Sequence, residues 1–521
     1  VRAESCIRDG NALLAQGRLE EAARSYRDAL SADGTNANAC INLGFVFNEL
    51  GRPAEAREQL ERAVRLEPRS ADAHYLLGLT AESLGDATAA GRHLAEATEI
   101  KPDFAYAWRD LSRVRFHAGE TGEAIRAAER GLAVDGQMAE LHNFLGNIHL
   151  HEGAFEQALA CYDKTLLIAP GFFQAYGNKG LALHNLGCFA EALDSYEQAL
   201  RLNPDFSEAT HGASQTRLLL GDFRLGWAQY ESRWQHKERK GNQEFRMALR
   251  AYAQPQWRGG GNLQGKAVLL YAEQGLGDTI QFCRYAKRVA ALGARVILEA
   301  PPALALLLED LEGVGQLVRS GDELPEFDCH CPLLSLPLAF RTDLHDISGV
   351  PYLQARPEKA AAWKERVGER RQPRVGLVWS GGTAHRNDRN RSIPLAQFRE
   401  VLVEGINYVC LQQEIRPADR VALKRLPEIR TFDAELKDFA DTAALIEQVD
   451  LVIAVDTSVA HLAGALGKEV WILLPHIPDW RWLLDREDSP WYDSASLFRQ
   501  PASGDWRSVL NAVGDKLRSR R

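Results

Sequence analysis

Small and apolar positions recur with a period of 34 residues over the first two-fifths of the chain. One series is Gly10, Gly44, Gly78, Ser112, Gly146 and Gly180; a second is Ala22, Ala56, Ala90, Ala124, Ala158 and Ala192. A third runs Gly17, Gly51, Gly85, Gly119, Gly153 and Gly187, and a fourth Gly34, Pro68, Pro102, Gly136, Pro170 and Pro204. The pattern predicts pairs of antiparallel helices. The first two series supply small residues where paired helices cross closely. The third ends the first helix in a left-handed C-cap, and the fourth ends the second, because neither Pro nor Gly continues a helix well. Leu43, Leu77, Leu111 and Leu145 fill the space between pairs.

Four series in phase over six periods resemble the tetratricopeptide repeat, with units at 3–36, 37–70, 71–104, 105–138, 139–172 and 173–206. Residues 1–206 are thus expected as an all-α solenoid. An atypical, aromatic-rich seventh unit (Trp227, Tyr230, Trp234) is expected at 207–240 as a cap docking onto the next domain. The first helix of each pair should line a concave face. Asn38, Asn42, Tyr75, Tyr106, Arg109, Asn143, Asn147 and Asn178 are the candidates to hold an extended peptide there, together with Asp110 and Arg113. His142, His149 and His151 lack zinc-type spacing and read as ordinary helix residues.

After a polar, Gly-rich linker expected at 241–263, the rhythm changes to short apolar runs between helical stretches. Strands are predicted at Ala267–Tyr271, Arg295–Leu298, Gln316–Val318, Arg374–Trp379, Tyr408–Leu411, Leu451–Val455 and Val470–Leu474. Such runs fit parallel sheets covered on both faces. They fall into two doubly wound α/β domains, 264–357 and 358–521, facing a cleft. In such sheets ligands sit at the carboxyl ends of the strands.

Composition narrows the class. Of 521 residues, 45% are hydrophobic and 26% charged, which excludes a mainly disordered or disulfide-built chain. The net charge of -9 argues against nucleic acid as a partner. The eight cysteines are scattered and read as buried thiols in a reducing compartment; Cys329-His330-Cys331 lacks a second pair at zinc spacing. No run is long and apolar enough to span a membrane. Val1-Arg2-Ala3-Glu4 opens without a signal-peptide core, so the cytoplasm is the expected compartment.

Three segments carry candidate chemistry. Ala272–Ile280 follows the first strand; Gly275 and Gly277 permit a tight turn and close ligand approach, and Asp278 sits at a helix start, as a cleft carboxylate or an N-terminal cap. Trp379–Ser392 carries Ser380, Gly381, Arg386, Arg389 and Arg391, a composition suited to a diphosphate. Asp450–Gly467 ends a buried strand at Asp456 and starts a helix with Thr457 and Ser458, whose hydroxyls and free N–H groups favour an anion. His461 lies one turn further on, equally readable as a core residue. Gln412, after the strand Tyr408–Leu411, joins the donor-side candidates. D-x-D, P-loop and G-x-S-x-G patterns do not occur.

Together the three segments resemble GT-B glycosyltransferases, nearest the heptosyltransferase-like family nine, through the Gly-rich G-D loop and the D-[ST]-x-x-x-H-L-x-x-A-L-G segment. Behind tetratricopeptide repeats the layout is similar to O-GlcNAc-transferase-type and flagellin-modifying protein glycosyltransferases. The resemblance implies Asp278 as acceptor-side base. It places Ser380, Gly381 and Arg391 near the donor diphosphate and Asp456, Thr457, Ser458 and His461 on the nucleotide side; Gly275, Gly277, Arg386 and Gln412 join them as nucleotide-sugar candidates. The reaction expected is metal-independent, inverting O-glycosylation of a Ser or Thr on a protein bound by the repeats, a flagellin-like protein being one candidate acceptor. No cofactor is expected beyond the nucleotide-sugar substrate. Two alternatives stay open: a binding scaffold whose transferase-like part is inactive or senses nucleotide, and a transferase for a glycan or lipid precursor. Pairing of two copies through exposed solenoid faces is also left open. The loop Pro475–Trp482 is unusually aromatic, suited to contact a sugar or base or to pack between domains.

Overall fold

The computed structural model describes residues 2–235, 252–383 and 387–520. The chain forms two compact units, Val1–Pro204 and Asp205–Arg521. The first is a run of antiparallel helix pairs, from Arg2–Ala15 with Leu19–Ala32 to Phe173–Asn185 with Phe189–Leu202. The glycine that ends each first helix has φ between +69° and +79°, the left-handed region where a Cβ would be strained. Ala22 and its five counterparts are completely buried.

The eighth position of each pair is matched to its partner sixteen residues later. A Cβ on Gly10, Gly146 or Gly180 would stand 2.6–2.7 Å from the rings of Tyr26, Tyr162 and Tyr196; on Gly44 or Gly78 it would stand 2.5–2.8 Å from Leu60 or Leu94. In the fourth pair the glycine is replaced by Ser112, and the opposing residue shrinks to Ala128. The Ser112 hydroxyl donates to the Ala124 carbonyl at 2.7 Å. A larger residue at the eighth position is thus met by a smaller one opposite, as close packing demands.

The seventh helix pair, Ser207–Leu219 and Phe223–Tyr230, keeps the period, with Gly221 at φ +84°, yet belongs to the second unit. Its Trp227 indole donates to the Thr342 carbonyl at 3.0 Å, and the ring meets Trp480 edge-on at 5.2 Å.

The second unit holds two all-parallel sheets. The first has order β3-β2-β1-β4: β1 is Ala267–Tyr271, β2 Arg295–Ala300, β3 Val314–Arg319 and β4 Cys329–Pro332. The second has order β10-β9-β8-β5-β6-β7: β5 is Arg374–Val378, β6 Asn407–Cys410, β7 Ile429–Arg430, β8 Leu451–Val455, β9 Val470–Leu474 and β10 Ala495–Arg499. The chain is an all-α solenoid followed by an α/β unit of two parallel-sheet halves. Strands β1, β5, β8 and β9 are buried along their whole length, which explains their unbroken apolar runs.

Strands β4, β7 and β10 have no counterpart among the strands read from sequence. Cys329-His330-Cys331 lies in β4, with Cys331 fully buried and His330 on the opposite face by strand alternation. The described part of the expected linker is docked rather than free. Gln256 bridges His330 alongside β4, and the Trp257 N–H donates to the His330 carbonyl at 2.8 Å. A helix, Pro357–Val367, joins the two halves. Among the described residues no helix is long and apolar enough to cross a membrane.

Candidate functional site

On the solenoid, most of the expected groove residues are tied across neighbouring repeats. The Asn178 amide donates to Asn147 at 2.9 Å and to Asn143 at 3.3 Å, while the Tyr162 hydroxyl also donates to Asn147. The Asn42 amide donates to Asn11 at 3.2 Å, and Tyr75 donates to Asp110 at 2.9 Å. Arg109 grips Asp110 with two bonds and lies over the ring of Tyr106, which is 56% exposed. Asn38 is exposed. These side chains form inter-repeat rungs, so each amide reaches a ligand only with the atoms the rungs leave over.

In the second sheet the strand order reverses between β5 and β8, where Val378 pairs with Ala454. The loops after these strands leave in opposite directions at the carboxyl edge, which is where sheets of this kind hold their ligands. Three of the predicted donor-side elements meet there. Gln412, after β6, fixes the turn after β5. Its Oε1 accepts from the N–H groups of Trp379 (2.7 Å) and Ser380 (3.1 Å), and its amide donates to the Ser380 hydroxyl at 3.1 Å. Arg391 donates to the Asp456 carbonyl at 2.8 Å and thereby ties the β5 loop to the end of β8. Gly381 lets it lie so close: a Cβ would stand 2.5 Å from the guanidinium. Among the described residues the Arg391 Nε has no hydrogen-bond partner. Arg386 falls outside the described residues.

Thr457 is the N-cap of the helix Ser458–Ala465, but its hydroxyl makes no capping bond. That hydroxyl is buried with no partner among the described residues, in a residue only 7% exposed. An unpaired buried hydroxyl costs stability, commonly about 1–3 kcal/mol. Here it stands beside the free N–H groups of a helix start, with a guanidinium tied to the preceding residue. The arrangement is chemically ready for an anion.

The loop after β1 approaches the same place from the first half. The helix Leu276–Phe282 packs on the helix Ser458–Ala465, and Gly277 makes this possible: a Cβ there would stand 3.0 Å from the His461 ring and 3.5 Å from the Ser458 Cα. Gly275 is the N-cap, and its N–H donates to Asp278 Oδ2 at 2.8 Å. The second oxygen of Asp278 accepts from Arg481. The carboxylate expected as acceptor-side base therefore has both oxygens engaged. Within the helix it answers the N-cap as the third residue of a capping box, and it is also an ion-pair partner.

Arg481 comes from the aromatic loop and is 7% exposed. Its Nε donates to Gln281 at 2.7 Å, one terminal nitrogen to Asp479 at 2.8 Å, and the other to Asp278. Burial opposes its charge, but Asp479 and Asp278 outweigh that and raise its pKa. Burial likewise pushes Asp479 up, and Arg481 more than reverses it, leaving that carboxyl below its usual range. Asp456 has the opposite balance. Burial, and then the charge of Asp479, raise it to about 6 against the pull of Arg391. Burial lowers His461 to about 3, so its imidazole is neutral at physiological pH. Its Nδ1 shares a hydrogen bond with the Tyr492 hydroxyl at 2.9 Å, and its ring stacks on Trp482. Such bonding makes His461 a packed core residue as well as a neighbour of Asp456, 3.9 Å away.

A second polar group lies where the strand order reverses in the first sheet, between β1 and β4. Glu273 accepts from the Leu334 N–H and from Arg233 of the cap, each at 3.1 Å. Arg233 is fully buried and also donates to Ser335 at 2.7 Å. Burial raises Glu273 to about 7 despite the cation. Arg233, Glu273, Arg416, Asp479, Arg481 and Tyr492 were missed as site residues by sequence reasoning. Only Arg481 and Asp479 had a signal, their place in the aromatic loop. Arg416 pairs with Asp388 at 2.6 Å and donates to the Gly381 carbonyl at 2.8 Å, holding the loop after β5.

Family models described as tetratricopeptide repeat match residues 13–80, 71–104, 109–171 and 145–219. Protein FlbA of Caulobacter vibrioides is 27% identical over 333 residues, covering 58% of this chain and 53% of that protein. The chain thus spans about half the length of this curated relative. Among solved structures, YrrB, described as a TPR protein with an unusual peptide-binding site, is 19% identical over 36% of this chain and 97% of its own, with a TM-score of 0.34. Pseudomonas aeruginosa pilF is 20% identical, with coverages of 40% and 96% and a TM-score of 0.37. A thermophilic TPR protein of Thermus thermophilus is 24% identical, with coverages of 35% and 98% and a TM-score of 0.29. The N-terminal region of this chain is a run of tetratricopeptide repeats.

Proposed function

We propose that the chain is a glycosyltransferase that moves a sugar from a nucleotide-sugar to a Ser or Thr hydroxyl of a polypeptide held by the repeats. The tetratricopeptide repeats support the protein-binding part of this reading. The transfer part is carried by one observation: the switch point between β5 and β8 gathers Arg391, the turn fixed by Gln412 and the uncapped Thr457 at one helix start. A diphosphate leaving group would find there a fixed cation, a hydroxyl donor and oriented N–H groups, the preorganised charge stabilisation such a departure needs. In a single displacement the acceptor oxygen bonds to the anomeric carbon as the carbon–phosphate oxygen bond breaks, inverting that centre. The hydroxyl proton passes to Asp278, and the diphosphate keeps the bonding electrons.

The test is titration of the full chain with a nucleotide-sugar panel, followed by intact-mass analysis of proteins recovered on the repeats. One donor should bind, Arg391→Gln should weaken it at least tenfold, and Asp278→Asn should retain binding while abolishing the mass increase. Failure of every donor to bind refutes the reading. A second reading, a nucleotide-sensing scaffold, is favoured by the engagement of both Asp278 oxygens. It predicts donor binding with no mass increase on the recovered partner.

A further inference from the structure

Asp278 and Arg481 form an ion pair across the two halves, one from the first turn of the helix after β1 and the other from the aromatic segment after β9. Arg481 is held at all three of its nitrogens, by Gln281, Asp479 and Asp278. Gly277, the residue before Asp278, lies against Ser458, the first residue of the anion-ready helix start. The ion pair therefore stands next to the place proposed for the diphosphate. We propose that Arg481 is a donor-operated latch: in the empty site it masks Asp278, and an incoming diphosphate draws the guanidinium onto its own oxygens and releases the carboxylate. This inference rests on the donor site proposed above and adds an order of events to it, donor before acceptor.

The chemistry favours such an exchange. A guanidinium presents paired N–H groups that match phosphate oxygens as well as carboxylate oxygens. Asp479 accepts from both the side chain and the backbone N–H of Arg481, so it stays with the arginine as a pivot. The bond to Asp278 crosses between halves and has no such backbone support. Asp278 still accepts from the Gly275 N–H after release, which keeps the carboxylate oriented. The latch also removes the conflict between an engaged Asp278 and a role for it in proton acceptance. Nothing covalent changes in this step; one ion pair is exchanged for another.

A double-mutant cycle on nucleoside diphosphate affinity tests it, because a sugar and an acceptor are then unnecessary. The probe is whichever of UDP, GDP, CDP, ADP and dTDP binds the wild-type chain most tightly by calorimetry. Asp278→Asn leaves Arg481 without its competing partner and should tighten binding at least fivefold. The gain should vanish in Arg481→Gln. Arg481→Lys, which keeps the charge but cannot span the same partners, should lose at least half of the gain and serves if Arg481→Gln does not fold. Unchanged or weaker binding by Asp278→Asn overturns the latch, as does a full gain that persists in both Arg481 backgrounds. No binding of any diphosphate by the wild-type chain refutes the donor site itself, and the latch with it.

Discussion

The matching of eighth and twenty-fourth positions in the repeats makes a quantitative prediction. In Gly44→Ala the new methyl carbon would stand 2.5 Å from Leu60 Cγ and 2.8 Å from Cδ2, where carbon atoms normally keep about 3.5–4.0 Å. Leu60 is completely buried and has to give way by about 1 Å in a close-packed interior. Overpacking of this kind costs about 1–3 kcal/mol. Replacing a mid-helix glycine by alanine returns about 1 kcal/mol. The clash is the larger effect, and the variant should lose about 1 kcal/mol. Leu60→Ala alone should lose about 2–5 kcal/mol through its cavity. Together the two substitutions rebuild the arrangement already present at Ser112 and Ala128, so their sum should overstate the loss in the double variant by at least 1 kcal/mol, well beyond the ~0.5 kcal/mol scatter of independent sites. Native-state hydrogen exchange on the helices Ala37–Glu49 and Pro53–Leu66 measures this locally, which matters in a repeat array whose units open separately. Additive losses would refute the claim that the two positions compensate one another in size.

Thr457→Val removes the uncapped buried hydroxyl, so thermal unfolding should show unchanged or slightly raised stability while nucleoside diphosphate affinity falls about tenfold, a loss of about 1.4 kcal/mol. Lower stability with unchanged affinity would show the hydroxyl to be structural. Asp456, raised to about 6, is negative above that pH and repels a diphosphate, and it becomes neutral below. Relative to Asp456→Asn, which lacks this titration, wild-type affinity should therefore gain as pH falls from 8 to 5.5; parallel profiles in calorimetry would exclude Asp456 from the site.

The solenoid was legible because its constraints are local and steric. A left-handed C-cap needs glycine at Gly17 and its successors, and a helix crossing needs Ala22 and its successors, wherever the repeat occurs. Strands β1, β8 and β9 were legible for a similar reason: burial on both faces leaves a continuous apolar run. Strand β10 is only partly buried and alternates, β7 is two residues long, and β4 reads as a cysteine–histidine cluster. None of the three carries the signature of a covered strand. At the site, the strand ends and helix starts could be named from spacing, since the chain places them locally. Their partners could not. Asp278 meets Arg481 across 203 residues, and His461 meets Tyr492 across 31. A sequence pattern shows which residue types are present, while the pairing that decides whether a carboxylate is free arises only in the folded chain.

The seventh helix pair keeps the repeat period yet commits its residues elsewhere: Arg233 neutralises Glu273, and Trp227 fills a seat beside Thr342 and Trp480. This divides the array between the two compact units. The six helix pairs before Pro204 form a compact unit of their own. A break placed after Trp234 instead would strand an acidic side chain inside that core and unroof its aromatic cluster. The place to separate the two units is therefore Pro204, one helix pair before the change of fold.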